Sequence, residues 1–314
     1  MLIFIIKRIL AAIPVLIIVT VIAFSLIYMI PGDAAIVAAG ENASQERIEQ
    51  VREQMGLNRP AIVQYFVWMG ELLTGNLGTS LISGHTNAEM IATALPVTVS
   101  LALLALTWSL IAGVLIGTFA GLNRDSWIDR TLTALTTFGL AVPTFWIGLI
   151  LVVTFALQLR MFPATGFTPI TEGVGPWLSH LVLPALALGT TTAAEIARQT
   201  RAGMIDVLEQ DYIRTATAKG LPRWIVVGKH TTKNAAIPVV TVFGLQAAAL
   251  IGGSVIIEQV FAMPGLGSLA LRSIIERDFP VIQAFVVVVT LFVLAINLLV
   301  DISYAYFNPK VRQS

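Results

Sequence analysis

Apolar residues gather into six runs, at about 9–30, 97–121, 132–157, 181–194, 239–261 and 281–305 of the 314-residue chain, with polar and charged residues collected between them. A helix rises about 1.5 Å per residue, so a run of about 20 apolar residues matches a hydrocarbon core of about 30 Å. The pattern predicts an all-α integral membrane protein with six transmembrane helices. The first run follows Lys7-Arg8 and exceeds the roughly 7–15 apolar residues of a signal peptide, which predicts a retained span. The fourth is the shortest and contains Pro184, and its helix is expected to continue through Glu195 toward Arg201 outside the membrane. The spacing divides the chain into an N-terminal segment with the first span (1–30), an extracytoplasmic segment (31–96) and a five-span core (97–314) whose cytoplasmic loop covers about 195–237.

Lysine and arginine set the orientation. Both termini, 123–131 and 195–237 carry all five lysines and most arginines, whereas Arg47, Arg52, Arg59, Arg160, Arg272 and Arg277 lie opposite. The positive-inside rule makes the first side cytoplasmic. In the long outward segment, Ser44 is placed to cap a helix with Glu46 in its first turn, Ile48, Val51 and Met55 along one face, and Gly56 at its end. Such a helix would cover the outer rim of the bundle or meet an extracytoplasmic partner.

Within the spans, small residues and proline break the apolar pattern. Gly113, Gly117 and Gly121 recur every four residues and form a ridge without side chains, suited to packing within the chain or against a second subunit. Pro143 interrupts the third span as a static kink or a hinge. Glu195, Glu258 and Asp301 fall near span ends, where carboxylates are expected to be hydrated or locally paired.

At 56% hydrophobic and 12% charged residues, with mean hydropathy +0.85, the chain excludes an ordinary soluble core. It contains no cysteine, which excludes disulfides and thiolate chemistry, and its net charge of +1 gives no sign of a nucleic-acid partner. It carries no nucleotide-binding loop: Gly228-Lys229 is followed by His230 where Ser or Thr is required, and Arg223 stands at the first glycine position. His85, His180 and His230 lie in separate segments, and the zinc-protease and serine-hydrolase signatures are absent. No catalytic residue, cofactor or metal site is expected in this chain.

The basic, amphipathic stretch 211–238 reads as a docking surface, because Ala216 and Ala218 permit close approach and Gly220-Leu221-Pro222 stops a short helix sharply. Tyr212-Ile213-Arg214-Thr215-Ala216, Ala218-Lys219-Gly220-Leu221 and Asn234-Ala235-Ala236-Ile237-Pro238 resemble the cytoplasmic EAA loop of ABC-importer permeases of the dipeptide/oligopeptide/nickel branch. Arg214 and Thr215 stand where the general pattern has Glu-Ala, and Pro238 lies farther from Gly220 than in sugar permeases. The resemblance extends over nearly the whole chain. It includes Lys7-Arg8-Ile9-Leu10, Ile30-Pro31-Gly32-Asp33, Gly56-Leu57-Asn58-Arg59-Pro60 with Gln64-Tyr65, and Gly75-Asn76-Leu77-Gly78-Thr79-Ser80. Val142-Pro143-Thr144-Phe145-Trp146, Glu258-Gln259-Val260-Phe261 and Pro264-Gly265-Leu266-Gly267 complete it, and the long first outward segment is similar to that of B-type subunits.

The resemblance implies a type I importer permease in the bacterial inner membrane, forming half of a peptide pathway in a heterodimer with a homologous C-type permease. One or two cytoplasmic ABC ATPases, which hold the ATP and magnesium, and an extracytoplasmic substrate-binding protein would complete the assembly. It implies that Asp211, Tyr212, Arg214, Thr215, Ala216, Ala218, Lys219 and Gly220 form the coupling helix and its stop. Thr144, Phe145, Trp146 and Glu258 are candidates for the translocation path. The cargo within that branch stays open between dipeptides, oligopeptides, glutathione, nickel chelates and haem. The hydropathy pattern by itself also fits an ion- or solute-conducting channel or secondary transporter uncoupled from ATPases, or a membrane scaffold.

Overall fold

The computed structural model describes residues 2–29, 34–40, 43–54 and 56–307. Ile30-Pro31-Gly32-Asp33, Met55, Lys310 and Arg312 lie outside the described residues. Among those described, the regular structure is helical apart from one isolated antiparallel bridge, Thr79 to Thr86. Among the described residues five helices are long and apolar enough to cross a membrane, and a bent pair taken as one span makes six. The backbone forms two compact units, one of residues 1–96 and 265–295 and the other of 97–264 and 296–314.

In the first unit, α1 (Leu2–Met29) packs against α4 (Ala61–Leu73) through aromatic rings. Phe24 lies 5.6 Å from both Tyr28 and Tyr65, and Tyr28 donates its hydroxyl to Gln64 Oε1 at 2.6 Å. Between these helices, α2 (Ala34–Ala39) and α3 (Gln45–Gln54) enclose Ala35, Ile48 and Val51. Ser44 caps α3 as expected, its hydroxyl accepting from the Arg47 amide, and Gly56 follows the helix at φ +65°. The loop after α4 leads into the start of α5 (Asn87–Leu122). It is pinned by Asp278, whose carboxylate accepts from the Ser80 hydroxyl and the Leu81 amide between α12 (Leu266–Glu276) and α13 (Phe279–Phe307). Neither α4 nor α12 is anticipated by hydropathy, because 13 and 11 residues fall short of a membrane crossing.

The second unit is organised around α8 (Val174–Leu208), which α6 (Trp127–Ala141), α7 (Thr144–Leu151) and α11 (Thr232–Val260) all contact. Pro184 sits inside α8 without ending it, and the helix runs through Glu195 and Arg201. The glycine ridge of α5 is filled from within the chain. A side chain at Gly113 would meet Ile196 Cβ at 2.7 Å, one at Gly121 would meet Met204 Cβ at 2.7 Å, and one at Gly117 would run into the Ala197 carbonyl and Thr200. The open choice between internal packing and a second subunit is thus settled for this ridge in favour of α8.

The third span departs from a single rod. Its two arms, Trp127–Ala141 and Thr144–Gln158, meet at 104°. Pro143 disfavours helical geometry at Val142, which takes φ −86° and ψ 128°, and Pro143 itself adopts φ −60° and ψ 136° as the cap of α7. The chain therefore leaves one helix and starts another instead of bending within one. The second arm ends in a π-helical turn, Val152–Gln158.

Candidate functional site

The segment that sequence singles out as a docking surface folds as α9 (Asp211–Ala218), between the end of α8 and a three-residue turn, α10 (Arg223–Ile225). Eight residues are too few to hold a helix in water without packing. Ile213, 4% exposed, supplies the anchor, and Val226 is buried in the π-helical turn that follows α10. The helix ends by construction. The Gly220 amide donates to the Thr217 carbonyl at 3.0 Å and the Leu221 amide to the Ala216 carbonyl at 3.3 Å, the paired bonds of a Schellman stop, with Gly220 at φ +76°.

What remains on the outside is the set of candidate coupling residues. Asp211, Tyr212, Arg214, Thr215, Ala218, Lys219 and Gly220 are exposed, and Ala216 is half-buried. Arg214 reaches Asp211 at 3.5 Å in water, a pairing that contributes little to holding either side chain. Trp224, which sequence reasoning passed over, is 76% exposed just beyond the stop, and Leu221 beside it is also exposed. A tryptophan left in solvent next to a small-residue helix is the kind of anchor that protein interfaces use. Its signal in the sequence is the aromatic residue directly after Gly-Leu-Pro-Arg.

A second feature was not anticipated. Asp129, on the first turn of α6, is 3% exposed and receives a bidentate pair from Arg201 of α8, with Nε at 2.6 Å and Nη2 at 2.7 Å. The Asp125 amide donates to the same carboxylate at 3.0 Å and the Thr133 hydroxyl at 3.3 Å, so its acceptor sites are well used. Arg124 pairs with Glu209, tying the same turn to the residue that ends α8. Together these contacts fix the broken span to the helix from which α9 projects. The Ser126-x-x-Asp129 spacing marks the helix start, with the Asp129 amide donating to Ser126 Oγ, but nothing local names Arg201 as the partner.

An open groove of about 730 Å³ runs along α6 from this ion pair, lined by Arg130, Thr133, Thr137 and Phe138 among others. Thr144, Phe145 and Trp146 begin α7 just past the break; Phe145 and Trp146 are exposed and Thr144 is half-buried. Glu258 differs from the expectation of a hydrated carboxylate. It is fully buried in α11, accepting from the Thr98 hydroxyl at 2.7 Å and the Ser254 hydroxyl at 3.2 Å. Its carboxylate faces Thr98 of α5 instead of solvent, and the Met263 amide donates to its backbone carbonyl at 2.8 Å. The structure therefore does not bring Glu258 to an open face with the α7 residues.

Residues 113–313 match the binding-protein-dependent transport system inner membrane component family, and residues 1–102 match its N-terminal region. The chain belongs to that family. This inner membrane component is a multi-pass protein of the bacterial inner membrane. It is 43% identical over 312 residues to the glutathione transport system permease protein GsiC of Pectobacterium atrosepticum, spanning 99% of each chain. It is 42% identical over 308 residues to a Brucella abortus (strain 2308) chain that bears the provisional name of a peptide transport system permease protein, spanning 98% of each. In fold, it is similar to a chain of the MetNI methionine ABC transporter in inward-facing form, with TM-score 0.59 and 16% identity over 70% of this chain and 97% of that one.

Proposed function

We propose that this chain is one of two membrane-spanning subunits of an ATP-driven importer of peptides, with glutathione-like and short peptides as the cargo class. The names of the relatives support the cargo class. The observation that carries the coupling role is α9: a helix seated on the buried Ile213, stopped by Gly220, and exposed along its outer face. In this reading Tyr212, Leu221 and Trp224 bind apolar pockets of a cytoplasmic ATPase, Arg214 and Lys219 give the contact its charge, and Ala216 and Ala218 set the closeness of approach. The homologous permease and the extracytoplasmic binding protein complete the assembly.

The ATPases act on transport only through contacts that differ between their open and closed states. Closure of the ATPase pair would draw the two seated helices together. On this subunit, the ion pair Asp129–Arg201 and the pair Arg124–Glu209 join α8 to the broken span, so displacement of α9 would be passed to α6 as a rigid-body movement. The α6 groove and the Thr144-Phe145-Trp146 edge would then line the path, offering threonine hydroxyls and aromatic faces to peptide amides and side chains.

A photo-crosslinking residue in place of Tyr212, in the importer isolated under mild detergent, tests the coupling role. Crosslinking to a nucleotide-hydrolysing subunit is expected, and a probe that labels only lipid or detergent removes the assignment.

A further inference from the structure

The first compact unit contains a cavity of about 770 Å³ that has no part in the coupling surface. It lies among α1, α3, α4, the loop after α4 and the start of α13, in the segment that the positive-inside count places outside the cell. Its size is within the range of about 300–1,000 Å³ usual for small-ligand sites.

Charges of both signs border it. Arg47, Arg59, Glu53 and Glu71 line the cavity, and among the described residues none of these four side chains forms an ion pair. As exposed groups they are solvated, so by themselves they would mark only a wet surface. A largely buried residue that opens only onto the cavity distinguishes this place. Gln283, on α13, is 7% exposed and lines the same cavity, yet its amide makes no hydrogen bond among the described residues. Its amide atoms keep access to the cavity, so they present an unpartnered donor and acceptor to whatever fills it. Trp68 adds an aromatic wall, held by Phe24 at 5.8 Å and Tyr65 at 6.3 Å.

We infer that this cavity receives a short peptide with free termini on the extracytoplasmic side. Guanidinium groups of Arg47 and Arg59 suit the terminal carboxylate, Glu53 and Glu71 suit the terminal ammonium, and the Gln283 amide, donor and acceptor at once, suits a peptide bond. The inference rests on the peptide-import reading and deepens it, because it gives this subunit a cargo contact of its own in addition to a path.

The full chain is placed in nanodiscs of phosphatidylglycerol and binding of radiolabelled trialanine is measured by equilibrium dialysis. Saturable binding is expected, competed by trialanine but not by its N-acetylated, C-amidated form. Arg59→Gln, Glu71→Gln and Gln283→Leu should each weaken it about tenfold, as loss of a hydrogen bond to or from a charged or buried group implies. Gln283→Asn, which keeps the amide, should retain more than Gln283→Leu, separating hydrogen bonding from packing. Absence of binding, equal binding by the blocked peptide, or no effect of the three variants overturns the proposal. So does a rise in trialanine binding when phosphatidylethanolamine replaces phosphatidylglycerol, which identifies the anionic lipid headgroup as the occupant. Uptake by the assembled importer is followed in parallel. Peptide uptake with variant-insensitive binding sinks the cavity alone, whereas absence of ATP-dependent peptide uptake sinks the transport reading and leaves dialysis to decide the cavity.

Discussion

Gly220 separates two ways in which the proposed coupling helix can depend on a glycine. Its φ of +76° is left-handed, a region that costs an L side chain about 1–2 kcal/mol, while a Cβ built there meets nothing within 4 Å of this chain. Gly220→Ala therefore perturbs only the backbone, shifting the balance between stopped and frayed helix ends by about tenfold. Asn tolerates the left-handed region and should recover most of that loss. Gly220→Trp carries a similar backbone cost with no clash inside the chain, so any loss beyond Ala measures a partner seated against α9. In proteoliposomes containing the complete importer, the ratio of peptide taken up to ATP hydrolysed should fall in the order Gly, Asn, Ala, Trp, with membrane insertion unchanged. Trp equal to Ala would refute close approach at this position. Ala equal to Gly would refute the stop itself as a requirement.

Two further substitutions probe the scaffold behind that helix. Gly117→Leu drives a side chain into the Ala197 carbonyl and Thr200, and overpacking of this kind costs about 1–3 kcal/mol or more; tryptophan-fluorescence unfolding in detergent should show a lower midpoint, and an unchanged one contradicts the α5–α8 contact. Asp129→Asn leaves Arg201 without its carboxylate in a setting where the acid is 3% exposed, a loss of about 3 kcal/mol, and pairing it with Arg201→Met should restore part of the stability instead of adding to the damage.

How far the sequence reveals this molecule depends on whether the information is local. The Gly220-Leu221-Pro222 stop was legible because a left-handed C′ residue and a following proline are decided within a few positions of backbone. The extent of α8 was underestimated for the opposite reason. Much of this helix is buried among protein neighbours, where Thr192, Thr200 and small alanines are tolerated because α5, α6 and α11 surround them instead of lipid, so hydropathy weakens in the helix that organises its unit. Asp129 and Arg201 are 72 positions apart, and only the packing of α6 on α8 makes them partners. Pro143 lies between these cases. Its ring dictates that Val142 leave the helical region, which the sequence declares, but the 104° that results depends on where α8 and α11 hold the two arms. An angle set by packing is one that packing can change, and this is why the broken span, held at its base by Arg201 and open along its groove, is the element of the second unit best placed to move in the proposed coupling.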